Sequence, residues 1–194
     1  MDRKLEGKRI GVVLTGSFCT FDIALECIKE LAEKGAETTA ILSSATYEND
    51  TKFGNAKDLR EKLAAITGRE IIHTIPAAEP IGPGRLLDAL VVLPATGNTL
   101  AKLAAGIADD PACFAVKSQL RNGRPVVLAI SSNDALGTGA KNIGHLLNAK
   151  NIYFVPFGQD NCTAKPRSMV FKKEYVLPAI CAALEGQQIQ PILV

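Results

Sequence analysis

The stretch that decides the fold is Ala89-Leu90-Val91-Val92-Leu93-Pro94-Ala95-Thr96-Gly97-Asn98-Thr99-Leu100-Ala101-Lys102-Leu103-Ala104. Its first five residues are an uninterrupted apolar run, as a strand buried on both faces requires. A proline ends the run, a small polar loop follows, and apolar residues then recur at helical spacing. Such a strand-to-helix turn can hold an anionic or polar ligand, because small residues let the backbone approach and the helix start offers free N–H groups. A second turn of this kind follows residues 9–14, where the chain reads Thr15-Gly16-Ser17. Two such turns at one edge of a single sheet predict a ligand between them.

The pattern repeats outward from there. Residues 10–14, 38–42, 89–93 and 125–130 read as strands, with a weak strand at 70–73 and an extended piece at 152–155. Between them, Ala24, Cys27, Ile28 and Leu31 mark one helical face, and Ala56, Leu59, Leu63 and Ile66 a second. Leu100, Leu103, Ala104 and Ile107 mark a third helix, read over residues 99–108. Further helices are predicted from Pro111 to the Asn122-Gly123 stop, over 141–149 and over 175–185. Residues 76–84, rich in proline and glycine, read as irregular. Strands alternating with helices predict an α/β fold, a Rossmann-like three-layer sandwich around a mostly parallel sheet. The 194 residues are expected to form a single domain.

Ligands of such sheets bind outside the carboxyl ends of the strands. The candidate loops are therefore residues 15–20, 43–47, 94–99 and 131–139, all carrying hydroxyl or amide side chains. Thr15, Gly16 and Ser17 can cradle a phosphate, or Thr15 and Ser17 can simply cap the first helix. Ser43 and Ser44 have the same two readings. Asn98 can bind a ligand through its amide or cap a helix opening at Thr99. The first loop lacks the GxGxxG pattern of a dinucleotide site, which leaves a mononucleotide or flavin mononucleotide (FMN) as the better occupant. Asp134 is the candidate base. His73 and His145 read as structural, and Cys19 as buried at the sheet edge. The cluster of Lys165, Arg167, Lys172 and Lys173 reads as a solvated face, or as a contact for an anionic substrate or partner.

Composition excludes several classes. The charged segment 1–9 is unlike a signal peptide, and no apolar run reaches the ~18 residues of a spanning helix. The five cysteines form no CxxC pair, so neither a disulfide framework nor a metal site is expected, and a reducing cytoplasm suits the chain. A net charge of +2, no tryptophan and few aromatics give no nucleic-acid surface.

The Thr-Gly-Ser turn after the first strand, the Ser-Ser turn after the second and the Pro94–Ala104 segment together resemble the flavoprotein family of cysteine decarboxylases and flavin prenyltransferases. That resemblance implies an FMN site held by Thr15, Gly16, Ser17, Ser43 and Ser44 on the phosphate and ribityl side. Thr96, Asn98 and Thr99 would then lie towards the ring or the substrate. It also implies a homo-oligomer, a trimer or a multiple of one. Segments 7–11, 78–83, 122–128, 132–137, 155–160 and 190–194 narrow the resemblance to a branch that supplies one of the two chains of a heteromeric synthase. The pyridine nucleotide is bound by the other chain, its partner. The implied product is a pyridine dicarboxylate of bacterial endospores, made by two-electron oxidation of a dihydro precursor in the mother-cell cytoplasm. Ser132, Asn133 and Asp134 would close over that dicarboxylate. Two departures matter. The decarboxylases carry a catalytic histidine in the helical region after the second strand, whereas residues 47–63 contain none. The region of their Pro-x-Met-Asn segment reads Ala129-Ile130-Ser131-Ser132-Asn133-Asp134 here, without the methionine. A non-catalytic role, stabilising or activating the partner chain, is the alternative implied by those departures.

Overall fold

The computed structural model describes residues 4–194, so the first three residues of the charged segment 1–9 lie outside the described residues. In chain order the elements are β1 (Arg9–Leu14), α1 (Phe21–Glu33), β2 (Glu37–Leu42), α2 (Ser44–Glu48), α3 (Ala56–Thr67), α4 (Ile75–Ala78), β3 (Ala89–Ala95), α5 (Gly97–Ala104), α6 (Pro111–Arg121), β4 (Val126–Ser132), α7 (Ala140–Leu147), β5 (Ile152–Phe154), β6 (Phe157–Asn161), β7 (Lys165–Phe171) and α8 (Val176–Leu184). The sheet runs β2-β1-β3-β4-β7-β6, and β5 also pairs with β4. β1 to β5 are mutually parallel, whereas β7 runs antiparallel to both β4 and β6.

Side-chain alternation splits the central strands between two cores. Val12, Leu14, Val91, Leu93, Val127 and Ala129 pack with buried residues of α1, α3 and α8. Val13, Leu90, Val92, Leu128 and Ile130 pack with α4, α5, α6 and α7 on the other face. Every residue of β3 is buried, which is why it reads as a continuous apolar run rather than an alternating one. Chain order reverses at β1: the chain moves from β1 to β2 on one side and returns to β3 on the other. The carboxyl ends of β1 and β3 therefore flank a topological switch point, where open α/β sheets place their ligands.

β4 is shared by two neighbours along its length. Its first half pairs with β5, Val126 to Ile152 and Leu128 to Phe154. Its end pairs with β7, Ser131 to Val170 and Ser132 to Met169. The β6–β7 hairpin thus stands beside the carboxyl end of β4 and walls that edge of the sheet. Its turn is an Asx turn, with Asn161 Oδ1 accepting from the N–H groups of Thr163 at 3.1 Å and Ala164 at 2.8 Å.

Several expectations need correction. Residues 70–73 form only an isolated bridge from Ile72 to Ile41. Residues 76–84 are not irregular throughout, because Thr74 caps α4 and a 3-10 turn spans Glu79–Ile81. β3 does not stop at Leu93; it continues through Pro94 to Ala95, with a register shift against β4 accommodating the proline. The third helix starts at Gly97 and ends at Ala104, leaving Ile107 46% exposed rather than inward. Gly106, at φ 71°, turns the chain away just before it. Cys19 is exposed, not buried, and His145 is exposed on α7. His73 stacks flat on Tyr47, with ring centroids 3.8 Å apart.

The cysteines give a direct check on this packing. Burial pushes the Cys27 thiol up to about 11, and burial with the nearby Asp110 carboxylate pushes Cys113 up to about 12. Cys19 and Cys162 are exposed. A thiolate-specific reagent on the native protein at pH 8 is expected to modify Cys19 and Cys162, and to reach Cys27 and Cys113 only after unfolding. Rapid modification of all of them without denaturant would contradict the core described here.

Candidate functional site

The carboxyl ends of β1, β3 and β4 are tied to one another by hydroxyls. Thr15 Oγ1 donates to the Pro94 carbonyl at 2.8 Å and accepts from the Thr96 N–H at 3.2 Å. Ser17 and Ser131 share a hydroxyl–hydroxyl hydrogen bond of 2.8 Å. Thr15 caps no helix, and Ser17, at the start of a 3-10 turn over Phe18–Thr20, makes no side-chain cap bond; α1 itself begins after Thr20. Thr96 is the cap of α5: its Oγ1 accepts from the Thr99 N–H at 3.2 Å and bonds the Thr99 hydroxyl at 2.9 Å. Asn98 therefore does not cap. It lies exposed in the first turn of α5, with its amide unengaged and the backbone N–H groups of Gly97 and Asn98 beside it.

These ends open into a cleft of about 690 Å³. Gly16, Ser17 and Thr20 form one wall, Thr96, Gly97 and Asn98 the floor, and residues 131–134 the opposite wall. Gly97 is required by close approach. A Cβ there would lie 2.6 Å from Ser132 Oγ and 2.9 Å from Asp134 Oδ1. Asp134 accepts from Thr138 at 2.6 Å and Ser132 at 2.9 Å, and these two bonds, Thr138 first, hold its carboxyl below the ordinary aspartate range.

The cleft gathers Gly16, Ser17, Thr96, Asn98, Ser132, Asn133 and Asp134 as the sequence predicted, with Thr15 and Thr99 directly behind them. Ser43 and Ser44 do not line it. Ser43 is buried and caps α2, its Oγ accepting from the Thr46 N–H at 3.3 Å. The hairpin supplies a third wall through Asp160, Lys165, Ser168 and Val170, followed by Lys172; sequence reasoning offered Lys165 and Lys172 as a contact for an anion but missed Asp160, Ser168 and Val170. Ser168 is buried and reaches Asn133 Oδ1 at 3.4 Å. The available signal was the alternation Ser168-Met169-Val170-Phe171-Lys172. Ser168, Val170 and Lys172 line the cleft with Phe171, while Met169 goes to the core. Ser131 opens the predicted loop 131–139, but its bond to Ser17 is seen only in the folded chain.

The flavoprotein family matches residues 1–171 of this sequence. The chain belongs to the flavoprotein family. This flavoprotein is 46% identical over 190 residues to the B subunit of dipicolinate synthase from Bacillus subtilis, covering 98% of this chain and 95% of that one. The crystal structure of the corresponding B subunit from Bacillus halodurans superposes with a TM-score of 0.90 at 44% identity, covering 98% and 97% of the two chains. A dodecameric FMN-dependent UbiX-like decarboxylase from Escherichia coli O157:H7 matches with a TM-score of 0.62 at 25% identity, covering 76% and 79%. The donor set of the cleft suits an FMN-type group: hydroxyls and free N–H groups at a helix start for the phosphate and ribityl oxygens, and glycines where the backbone must approach. No helix among the described residues is long and apolar enough to cross a membrane.

Proposed function

We propose that this flavoprotein is the B subunit of a dipicolinate synthase, and that it binds FMN in the cleft and oxidises a dihydrodipicolinate-type precursor. The observation that carries the reading is the joined set of hydroxyls and free N–H groups at the ends of β1, β3 and β4. Ser17 and the start of α5 would hold the phosphate and ribityl oxygens, with Thr15 and Thr96 fixing the two loops. Bound FMN would supply a two-electron acceptor. Ser132 and Asn133 would hold a small dicarboxylate against it. Asp134 is the candidate acceptor for the ring proton. Its lowered basicity is tolerable where aromatisation supplies the driving force. The A subunit of dipicolinate synthase would be the partner and would carry the NAD(P) site. The E. coli relative is dodecameric, which supports a homo-oligomer here. The assembly would act in the mother-cell cytoplasm of a sporulating bacterium, with neither nucleic acid nor membrane as a partner.

The absence of histidine from residues 47–63 favours a second reading, a non-catalytic chain that stabilises or activates the A subunit. Visible absorption after incubation with FMN and desalting separates the two. Retention of about one flavin per chain supports the redox reading. A colourless protein that forms an active, flavin-free mixture with the A subunit supports the second.

Asn98→Asp gives a finer test. An added carboxylate in the first turn of a helix is favourable to the helix by about 0.3–1 kcal/mol. It also places negative charge where an anionic ligand would sit. The variant is expected to unfold no earlier than the parent while binding FMN or substrate at least about tenfold more weakly. Unchanged flavin affinity and unchanged synthase activity would remove Asn98 from the site.

A further inference from the structure

We infer that Lys172 is the specificity-determining cation of the cleft, the side chain that takes one carboxylate of the small dicarboxylic substrate. The inference rests on the substrate class proposed above, and it assigns a role to a residue outside the strand-end loops.

The assignment follows from how the cations are spent. Lys165 donates to Asp160 at 2.8 Å, and Lys173 donates to Glu26 on α1. Lys172, half-buried on the same wall, has no carboxylate partner among the described residues. Its backbone is fixed, because its N–H donates to the Pro156 carbonyl at 2.9 Å. Its stem is half-buried. It passes Gly158 beside the Val194 main chain: a Cβ at Gly158 would stand 3.6 Å from Lys172 Cε and 2.0 Å from the Val194 carbonyl oxygen. Lys172 directly follows β7 and lines the cleft with Ser168, Val170 and Phe171, while Met169 packs into the core. A half-buried stem whose ammonium meets no carboxylate among the described residues is a recognition element more than a solvated charge, since part of its rotamer freedom is already lost.

The remaining charges of the cleft make a cation necessary. Asp134 is held ionised and Glu174 lies on the same rim. A dianion entering between two carboxylates meets repulsion on both sides. It can settle only where an unpaired cation and neutral donors converge. Ser131, Ser132 and Asn133 supply the neutral donors on the wall that β7 pairs with.

The test is titration of pyridine-2,6-dicarboxylate into the full chain with FMN present, followed by calorimetry, for the parent, Lys172→Met and Lys172→Arg. Methionine keeps the apolar stem, so the fold is retained, and melting temperature and flavin retention are read on the same samples. The expected result is a loss of about tenfold or more in dicarboxylate affinity for Lys172→Met, as for one charge-assisted hydrogen bond. Lys172→Arg should recover most of it. The neutral diamide of the same ring should bind parent and Lys172→Met equally. Equal dicarboxylate affinity in parent and Lys172→Met, or no binding to the parent, overturns the assignment. Dicarboxylate binding that depends on Lys172 in a chain that retains no flavin would uphold the assignment and remove the flavin reading instead.

Discussion

Replacing Gly97 by valine is expected to lower FMN affinity at least about tenfold, and to do so without dismantling the fold. At this position the β3–α5 turn passes so close to the β4 loop that a Cβ would lie 2.6 Å from Ser132 Oγ and 2.9 Å from Asp134 Oδ1. An alanine can be accommodated if the Ser132 hydroxyl and the Asp134 carboxylate both swing away, at the cost of the 2.9 Å bond between them. A branched side chain has no such escape. It must push the β4 loop outward or displace the start of α5, a strain of about 1–3 kcal/mol. Both displacements widen the cleft at the point where the free N–H groups of α5 face it. Thr96 and Thr15, one layer behind, keep their mutual bonds, so the loss should fall on binding more than on folding. Flavin fluorescence quenching and a thermal melt for the alanine and valine variants measure the two effects. Binding by Gly97→Val with parental affinity would show that the ligand does not sit on this turn.

How much of this could be read in advance depended on where each residue's partners lie. β1, β3 and β4 were legible because burial on both faces leaves an apolar run that no other element of that length produces. α1 and α3 were legible from their apolar spacing, and the structure ends them just before Gly35 and Gly68, both in the left-handed region. The strand-end hydroxyls followed, since parallel strands deliver all their carboxyl ends to one edge. Ile107 misled because helical spacing carries no mark of where a helix stops; α5 had already ended at Ala104. The β6–β7 hairpin was hidden by its charges. Lys165, Pro166 and Arg167 read as a solvated run, and the pairing that makes them a strand is with β6 and with the far end of β4, distant in sequence. Ser131 and Lys172 acquire their places only through that register. Ser43 showed the opposite limit, where a hydroxyl at the right strand end is already engaged by its own helix at Thr46.

The second large effect lies at the opposite edge of the sheet and should be seen in stability. Asp88 precedes β3, Arg9 begins β1 and Arg124 precedes β4, so one carboxylate joins the amino ends of three neighbouring strands. Asp88 accepts from the Arg9 N–H at 2.9 Å, from Arg9 Nε at 3.1 Å and Nη2 at 2.7 Å, and from Arg124 Nη1 at 3.0 Å. The Arg9 side-chain bonds, more than Arg124, hold its carboxyl well below the ordinary range. With its side chain 24% exposed, the carboxylate is partly screened by solvent. Asp88→Asn is accordingly expected to cost about 2 kcal/mol at pH 7, the lower part of the range for charge-assisted bonds. In a chain of this size that lowers Tm by about 4–8 °C. The sign with pH follows from the depressed folded-state value. The contribution of Asp88 is complete above the unfolded carboxyl pKa of about 3.9 and is lost as pH falls from there through the folded value. Melting curves for parent and variant should therefore stand apart by the same amount from pH 7 down to about 4, then draw together as pH falls below about 3.9 towards the depressed folded value, while FMN affinity at pH 7 stays the same. A separation in Tm that persists unchanged into acid would mean that the variant acts through altered packing and not through the lost charge.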